Sequence, residues 1–505
     1  MPAYLFHGLL GRIADPGKAF LETPDGSILT YGGLLAETAR YAHALAAQGL
    51  KPGDRLAVQV EKSPEAIILY LAAARAGVVF LPLNTAYTTA ELDYFIADAE
   101  PALVIVDPAR RAAIEPIAQA HAAGLETLDA RGGGSFVERT RGQKTEFADA
   151  ERGPQDLAAL LYTSGTTGRS KGAMLTQENL LSNAQVLTGY WRFTADDVLL
   201  HALPIFHTHG LFVATNVVLA AGASMIFLPK FDAAEITRLL PRATSLMGVP
   251  TFYVRLLQQP ELSAAATRHI RLFVSGSAPL LAETHRAWSA RTGHAILERY
   301  GMTETNMNTS NPYDGDRIPG TVGFPLPGVA LRITDPESAA ELPLGETGMI
   351  EVKGPNVFKG YWRNPEKTRA EFRPDGFFIT GDLGMIDARG YVHILGRGKD
   401  LIISGGFNVY PKEVESEIDS LPGVAESAVI GVPHPDLGEG VTAVVVCTGK
   451  GTIDEVEIQR RLKERLAGYK LPKRVVFVAD LPRNAMGKVQ KNLLRESCKG
   501  LYRPG

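Results

Sequence analysis

The apolar positions of the N-terminal part of the chain switch period repeatedly. Leu34, Leu35, Thr38, Ala42 and Leu45 share one helical face between Tyr31 and Gly49, and the run stops at that glycine. Arg55 to Val60 alternates as a strand, and Ser63-Pro64-Glu65 then opens a helix through Ala76, with serine as cap and proline in the first turn. Val78–Leu83 reads as a strand, Ala90–Ala99 as a helix and Ala102–Asp107 as a strand. Strand and helix alternating at this length predict βαβ units and a largely parallel sheet. Arg131 to Pro154 is polar and glycine-rich and reads as a long surface connection.

A second alternating series follows. Strands are expected at Val198–His201, Ser224–Leu228, Ser245–Val249, Arg271–Ser275 and Ala295–Glu298, with helices between them that start near Asp232 and Pro279. From Gly320 the texture changes to short strands set between proline and glycine, among them Val329–Ile333 and Met349–Val352, which predicts a small antiparallel, barrel-like piece. After Gly396-Arg397-Gly398-Lys399-Asp400 a small α+β unit runs to the end. The expected fold class is α/β. A large N-terminal domain, 1–396, would hold two βα-layered subdomains and the antiparallel piece, and a small mobile α+β domain, 397–505, would follow.

Composition narrows the function. At 505 residues the chain exceeds what one core holds. A net charge of −3 argues against a nucleic-acid protein, which would carry a basic excess. Cys447 and Cys498 lie far apart, so neither a disulfide framework nor a zinc site is indicated, and a reducing cytoplasm fits. Met1 to His7 lacks the charged start and apolar core of a signal peptide. Ala66 to Leu83 is interrupted by Arg75 and Gly77, so no membrane crossing is expected.

The chemistry concentrates in Thr163-Ser164-Gly165-Thr166-Thr167-Gly168-Arg169-Ser170-Lys171, directly after the apolar run Leu157–Leu161. Gly165 and Gly168 let successive N–H groups turn onto an anion, while hydroxyls and Lys171 add donors and positive charge. A P-loop of the G-x-x-x-x-G-K type is excluded, because Ser170 stands where it needs glycine and Gly172 follows the lysine. Tyr300-Gly301-Met302-Thr303-Glu304 follows an apolar strand, where a carboxylate can hold Mg2+ against phosphate oxygens.

These stretches resemble motifs of the acyl-adenylate-forming superfamily, which includes acyl-CoA synthetases, peptide-synthetase adenylation domains and beetle luciferase. Ser170 replaces the usual proline. Ser275-Gly276-Ser277-Ala278-Pro279 resembles the adenine-contacting turn, Tyr361–Glu366 and Thr380-Gly381-Asp382 the next two motifs, and Gly396–Asp400 the hinge. Pro482–Lys488 resembles the C-terminal motif whose lysine reaches the reacting phosphate. The order and near-full coverage make the resemblance specific.

The resemblance implies an ATP-dependent enzyme that makes an acyl-adenylate and then a thioester with coenzyme A. It implies ATP contacts from Thr163–Gly168, Lys171, Ser277–Pro279, Glu298–Thr303, Asp382 (both ribose hydroxyls), Arg397 and Lys488. It implies Mg2+ held by Glu304 with Thr163, Lys488 as the catalytic cation with Glu304 and Thr163 beside it, Lys399 as pivot, and Ser404-Gly405-Gly406 facing the pantetheine of CoA.

The acyl side carries unexpected charge. Glu298-Arg299 precedes the Tyr-Gly turn, Gly248–Arg255 adds a second arginine, and Pro204–Gly210 brings His207 and His209. A buried arginine without an anion is costly, so two arginines on an acyl pocket ask for a second carboxylate. With Glu298–Asn308, these stretches resemble the malonyl-CoA synthetases over essentially the full chain. That implies malonate bound by Arg255, Arg299, Ser277, His207 and His209, with Met307 and Thr208 near its C2. One extra methyl changes binding by about 1–3 kcal/mol, so methylmalonate stays open.

Three other readings remain: a CoA synthetase for another short or aromatic acid, a non-catalytic nucleotide-binding protein on the same fold, and loading of a carrier-protein arm in place of free CoA. Small-molecule partners are expected. Lys488 beside Gly487 would also suit a lysine acetyltransferase, because acetylation removes the charge.

Overall fold

The computed structural model describes residues 3–11, 13–163, 170–405, 407–449, 453–484 and 487–502. Its first sheet has six strands in the spatial order Gly124–Thr127, Leu103–Val106, Arg55–Gln59, Val79–Pro82, Leu157–Thr163 and Lys171–Thr176. All pairs are parallel except the last, an antiparallel hairpin with Thr163 opposite Lys171. The helix Pro64–Ala76 is capped by the Ser63 hydroxyl, which accepts from the Ala66 N–H, and all its residues from Ala66 to Ala76 are buried. A helix apolar on every side belongs between layers, and Arg75 is tolerated there through an ion pair to Asp149 at 2.7 Å.

The second sheet has nine strands. Its parallel middle is Leu297–Met302, Leu272–Ser275, Ser245–Gly248, Val198–His201 and Ser224–Phe227, flanked on one side by Asn306–Ser310 and Phe324–Pro325. On the other side Ala19–Glu22 and Ile28–Thr30 add strands the pattern did not show. Parallel strands buried on both faces explain the near-continuous apolar runs. The antiparallel piece is a four-stranded sheet, Ala330–Thr334, Gly348–Lys353, Phe378–Ile386 and Val392–Arg397.

The C-terminal part forms its own sheet from Ile402–Ser404, Phe407–Val409, Val424–His434, Gly438–Cys447 and Arg474–Phe477. Its apolar clusters, one around Val414, Ile418, Val429 and Val441 and one around Ile430, Val444 and Leu494, contain no residue from the larger sheets. No helix among the described residues is long and apolar enough to cross a membrane.

Two expectations need correction. Arg131–Pro154 is not wholly a surface connection, because Ser135–Thr140 forms a helix whose Phe136 is fully buried edge-on to Tyr41. The strand read as ending at Glu298 runs on to Met302, so Tyr300 and Gly301 lie within it. Gly301 is required there: a Cβ would collide with the Asn306 carbonyl oxygen of the facing strand.

Candidate active site

The hairpin Leu157–Thr163 and Lys171–Thr176 holds the two ends of the expected phosphate loop together. Ser164, Gly165, Thr166, Thr167 and Gly168 lie outside the described residues. The Thr163 hydroxyl points to the Lys171 carbonyl at 3.5 Å. The Lys171 ammonium lies 5.6 Å over the Tyr361 ring. Desolvation, then Lys367, lower its pKa, while Glu371 and Glu304 oppose them.

Glu304 is buried, and burial raises its pKa. It has no ion pair among the described residues; its Oε1 receives the Tyr361 hydroxyl at 3.2 Å. A lone, hard carboxylate next to a lysine suits Mg2+ shared with nucleotide phosphates, and it does not suit an all-protein metal cage. No cluster of three metal-binding side chains occurs among the described residues.

The ribose end is tightly knit. The Tyr300 hydroxyl donates to Asp382 at 2.5 Å, and Arg397 Nε pairs with the same carboxylate at 2.7 Å. Asp382 is the largest cause holding the Arg397 pKa up. Lys488, from the far end of the chain, reaches this group. Lys488 is exposed as a residue, but desolvation of its ammonium, then Arg397, lower its pKa, against Asp382 and Asp400. On either side of residues 485–486, Lys488 N–H donates to Asn484 Oδ1 at 3.0 Å and Arg483 donates to the Gly487 carbonyl at 2.7 Å. Lys399 sits exposed in a short turn, Gly398–Asp400, and Asp400 pairs with Arg495 at 2.6 Å.

Other nucleotide-side residues are placed as follows. Ser277 takes a left-handed backbone, φ 70°, at the turn into Ala278 and Pro279. Met302 ends its strand and Thr303 follows in the turn toward Glu304. Glu298 is turned inward, its Oε1 accepting from the Gly320 N–H at 3.1 Å, and burial pushes its pKa up to about 8. Ser404 is buried in its strand, Gly405 has φ 60°, and Gly406 lies outside the described residues.

The acyl side contains the most unusual group. Arg299 is 3% exposed, with Nε and Nη2 unpartnered. Its guanidinium fills the space a Cβ would need at Gly276. Burial lowers its pKa to about 9. His207 is brought down to about 4 and His209 well below the ordinary imidazole range, by burial first and by Arg299 second. Neutral imidazoles therefore flank a cation. Ser277 Oγ lies 3.2 Å from His209 Nδ1, and His209 Nε2 is unpartnered. Met307 is buried with its methyl against Gly301. Chemically, a buried guanidinium with unpartnered nitrogens beside neutral imidazoles is a group suited to receive an anion.

Arg255 is placed differently. It is exposed on the helix Pro250–Leu256, 5.9 Å over the Phe231 ring, on the wall of an 830 Å³ cavity. Phe206, Phe252, Thr251 and Gly487 line the same cavity. The two arginines differ in depth, Arg299 buried and Arg255 exposed on the cavity wall, and neither has an acidic partner among the described residues. Sequence reasoning passed over Asn306. It is buried at φ 49°, with Oδ1 accepting from Thr208 Oγ1 at 3.0 Å and Nδ2 unpartnered. A left-handed non-glycine residue leaves no mark in a pattern of apolar positions. Lys62, buried on the cavity wall and donating to His201 Nδ1 at 2.9 Å, was passed over as well.

A cleft that joins a phosphate-loop hairpin, a buried carboxylate, a ribose-facing aspartate and a lysine from a small C-terminal sheet defines the adenylate-forming fold. The AMP-binding enzyme family matches residues 14–362 and the AMP-binding enzyme C-terminal domain matches 413–488, so the chain belongs to this family of ATP-using enzymes. Among curated relatives, a malonate–CoA ligase of Arabidopsis thaliana is 36% identical, covering 89% of this chain and 79% of that protein. A feruloyl-CoA synthase of an Amycolatopsis species is 38% identical, covering 93% and 94%. Among solved structures, ATP-bound MatB from Rhodopseudomonas palustris is 65% identical over 100% of both chains, with a TM-score of 0.98; its apo form scores 0.87. The arrangement described above is therefore nearer the ATP-bound form.

Proposed function

We propose that this enzyme joins malonate to coenzyme A. One malonate carboxylate attacks the α-phosphorus of ATP; the new O–P bond forms as the bond to pyrophosphate breaks. The thiol of CoA then attacks the acyl carbon, a C–S bond forms and AMP leaves. The observation that carries the reading is Arg299, a buried guanidinium with two unpartnered nitrogens and no acidic partner among the described residues. An acid with one carboxylate spends it in the reaction and leaves that cation bare; a diacid supplies the missing charge.

Arg255, Ser277, His207 and His209 would complete the receptor, with Thr208 and Met307 beside C2. Methylmalonate would fit if Met307 and Thr208 leave room for one methyl. Residues 163–168 and Lys171 would hold the β- and γ-phosphates, and Lys488 the charge developing near the α-phosphate. Glu304 and Thr163 would hold Mg2+, which neutralises phosphate charge when bound. Domains of 1–396 and 397–505 would turn about Lys399, withdrawing Lys488 and presenting Ser404-Gly405-Gly406 to pantetheine. A cytoplasmic setting suits a CoA-using enzyme with two free thiols, Cys447 and Cys498. A lysine acetyltransferase acting on Lys488 would silence adenylation, since the neutral amide cannot meet phosphate charge.

A second reading, an aromatic acid, is favoured by the feruloyl-CoA synthase likeness and by Phe206, Phe231 and Phe252 on the cavity wall. CoA thioester formation measured over malonate, acetate and ferulate at equal concentration separates the two. Malonate should lead by about 100-fold or more, the worth of one buried charge-assisted pair. Ferulate or acetate leading would end the malonate reading.

A further inference from the structure

We infer that Tyr361 is a positioning residue for the nucleotide-bound metal, holding the Glu304 carboxylate through its hydroxyl against a second carboxylate, Glu371. The inference rests on Glu304 lying in the nucleotide site and is independent of which acid is used. The Tyr361 hydroxyl donates to Glu371 Oε2 at 2.6 Å and lies 3.2 Å from Glu304 Oε1. One phenol has one hydrogen, so it cannot donate fully to both carboxylates at once. Glu371 already has a cation, Lys367 at 2.5 Å, whereas Glu304 has none among the described residues. With Glu371 already neutralised by Lys367, the tyrosine hydrogen can turn to Glu304, and it thus fixes where the uncompensated carboxylate points.

The backbone of Tyr361 is itself anchored to the phosphate-loop hairpin. Tyr361 forms a bridge with Ala173, the Trp362 N–H donates to the Gly172 carbonyl at 2.7 Å, and the Tyr361 N–H donates to Thr368 Oγ1 at 2.9 Å. The ring packs edge-on against Phe358 at 4.9 Å and under the Lys171 ammonium. One side chain therefore sets the carboxylate against the lysine of the phosphate loop, as the groups behind a metal's direct ligands commonly do.

Tyr361→Phe removes only the hydroxyl and keeps the ring contacts. The test is Mn2+ affinity of the full-length enzyme with ATP held below the enzyme concentration, read by the electron paramagnetic resonance of free Mn2+ against ATP alone as reference, with no acid or CoA present. Mn2+ affinity should fall about 10-fold or more, and the Mg2+ concentration for half-maximal ATP–pyrophosphate exchange should rise in parallel. The melting temperature and the KM for the acid should stay near wild type. Glu371→Gln should weaken Mn2+ binding too, and the double variant should be no worse than Tyr361→Phe alone. Wild-type Mn2+ affinity in Tyr361→Phe, or additive losses in the double variant, would overturn the inference. If the wild type with ATP held Mn2+ no more tightly than ATP alone, the placing of Glu304 at the metal would fall with it.

Discussion

Arg299 sets stability against function more sharply than any other side chain described. Its guanidinium is buried without an acidic partner among the described residues, so the free enzyme carries a desolvation cost that a bound anion would offset. Arg299→Met should raise the melting temperature of the free enzyme while lowering kcat/KM for malonate by about 100-fold or more, the equivalent of losing one to two charged hydrogen bonds. A variant that melts lower than wild type, or that keeps its malonate activity, would show that the arginine is structural.

Glu298 offers a different check, since the family resemblance places it on the nucleotide while its carboxyl is turned to the Gly320 amide. Burial raises its pKa from 4.5 to about 8. The folded state therefore holds a proton that the unfolded chain gives up, and this contribution to stability falls as pH rises through that window. Glu298→Gln stays neutral throughout. Its melting temperature relative to wild type should climb between about pH 5 and pH 8 and then level off, with the KM for ATP little changed. A flat difference across that range would rule out the buried-acid account; a large rise in the ATP KM would restore Glu298 to the nucleotide site.

At the scale of elements, what could be read from the chain depended on period and caps. The helix through Ala76 was legible because Ser63 and Pro64 announce its start and left-handed Gly77 its end. The parallel strands at Val198, Ser224, Ser245 and Leu272 were legible as apolar runs between turns. Ala19–Glu22 and Ile28–Thr30 were not, because four-residue and three-residue strands carry too few positions for a period to register. The candidate site was legible as residue types in order. The difference in depth between buried Arg299 and exposed Arg255 was not, because sequence spacing does not say how far from solvent a side chain ends. Nor was the link from Tyr361 to Glu304, a contact across 57 positions. The Lys488 loop is the element with the clearest single task. Lys488→Ala should slow acyl-adenylate formation by about 100-fold or more, yet leave thioester formation from supplied acyl-adenylate near the wild-type rate. Equal losses in both halves would show that the lysine serves something other than the first step.

For the whole molecule, the account requires the small C-terminal sheet to dock in one place for the first half-reaction and another for the second. In the docked arrangement Gly487 lies against Thr251 of the large part, and a Cβ built at Gly487 is 4.0 Å from the Thr251 Cβ. That separation falls within disulfide reach, about 3.5–4.5 Å. The double variant Thr251→Cys, Gly487→Cys, oxidised, should therefore still form acyl-adenylate and release pyrophosphate but fail to make thioester until reduced. The left-handed φ of 73° at Gly487 makes some loss of stability expected in this variant. Thioester formed at full rate by the oxidised enzyme would mean that no such rotation is needed.

The claim beneath all of this is that a buried cation holds the carboxylate that does not react. Malonate and its monomethyl ester differ there and keep the reacting end the same, so their kcat/KM values in ATP–pyrophosphate exchange compare that charge alone. The account predicts that the half-ester is poorer by about 100-fold or more in the wild type, and that this gap collapses in Arg299→Met. Equal use of diacid and half-ester by the wild-type enzyme would contradict it.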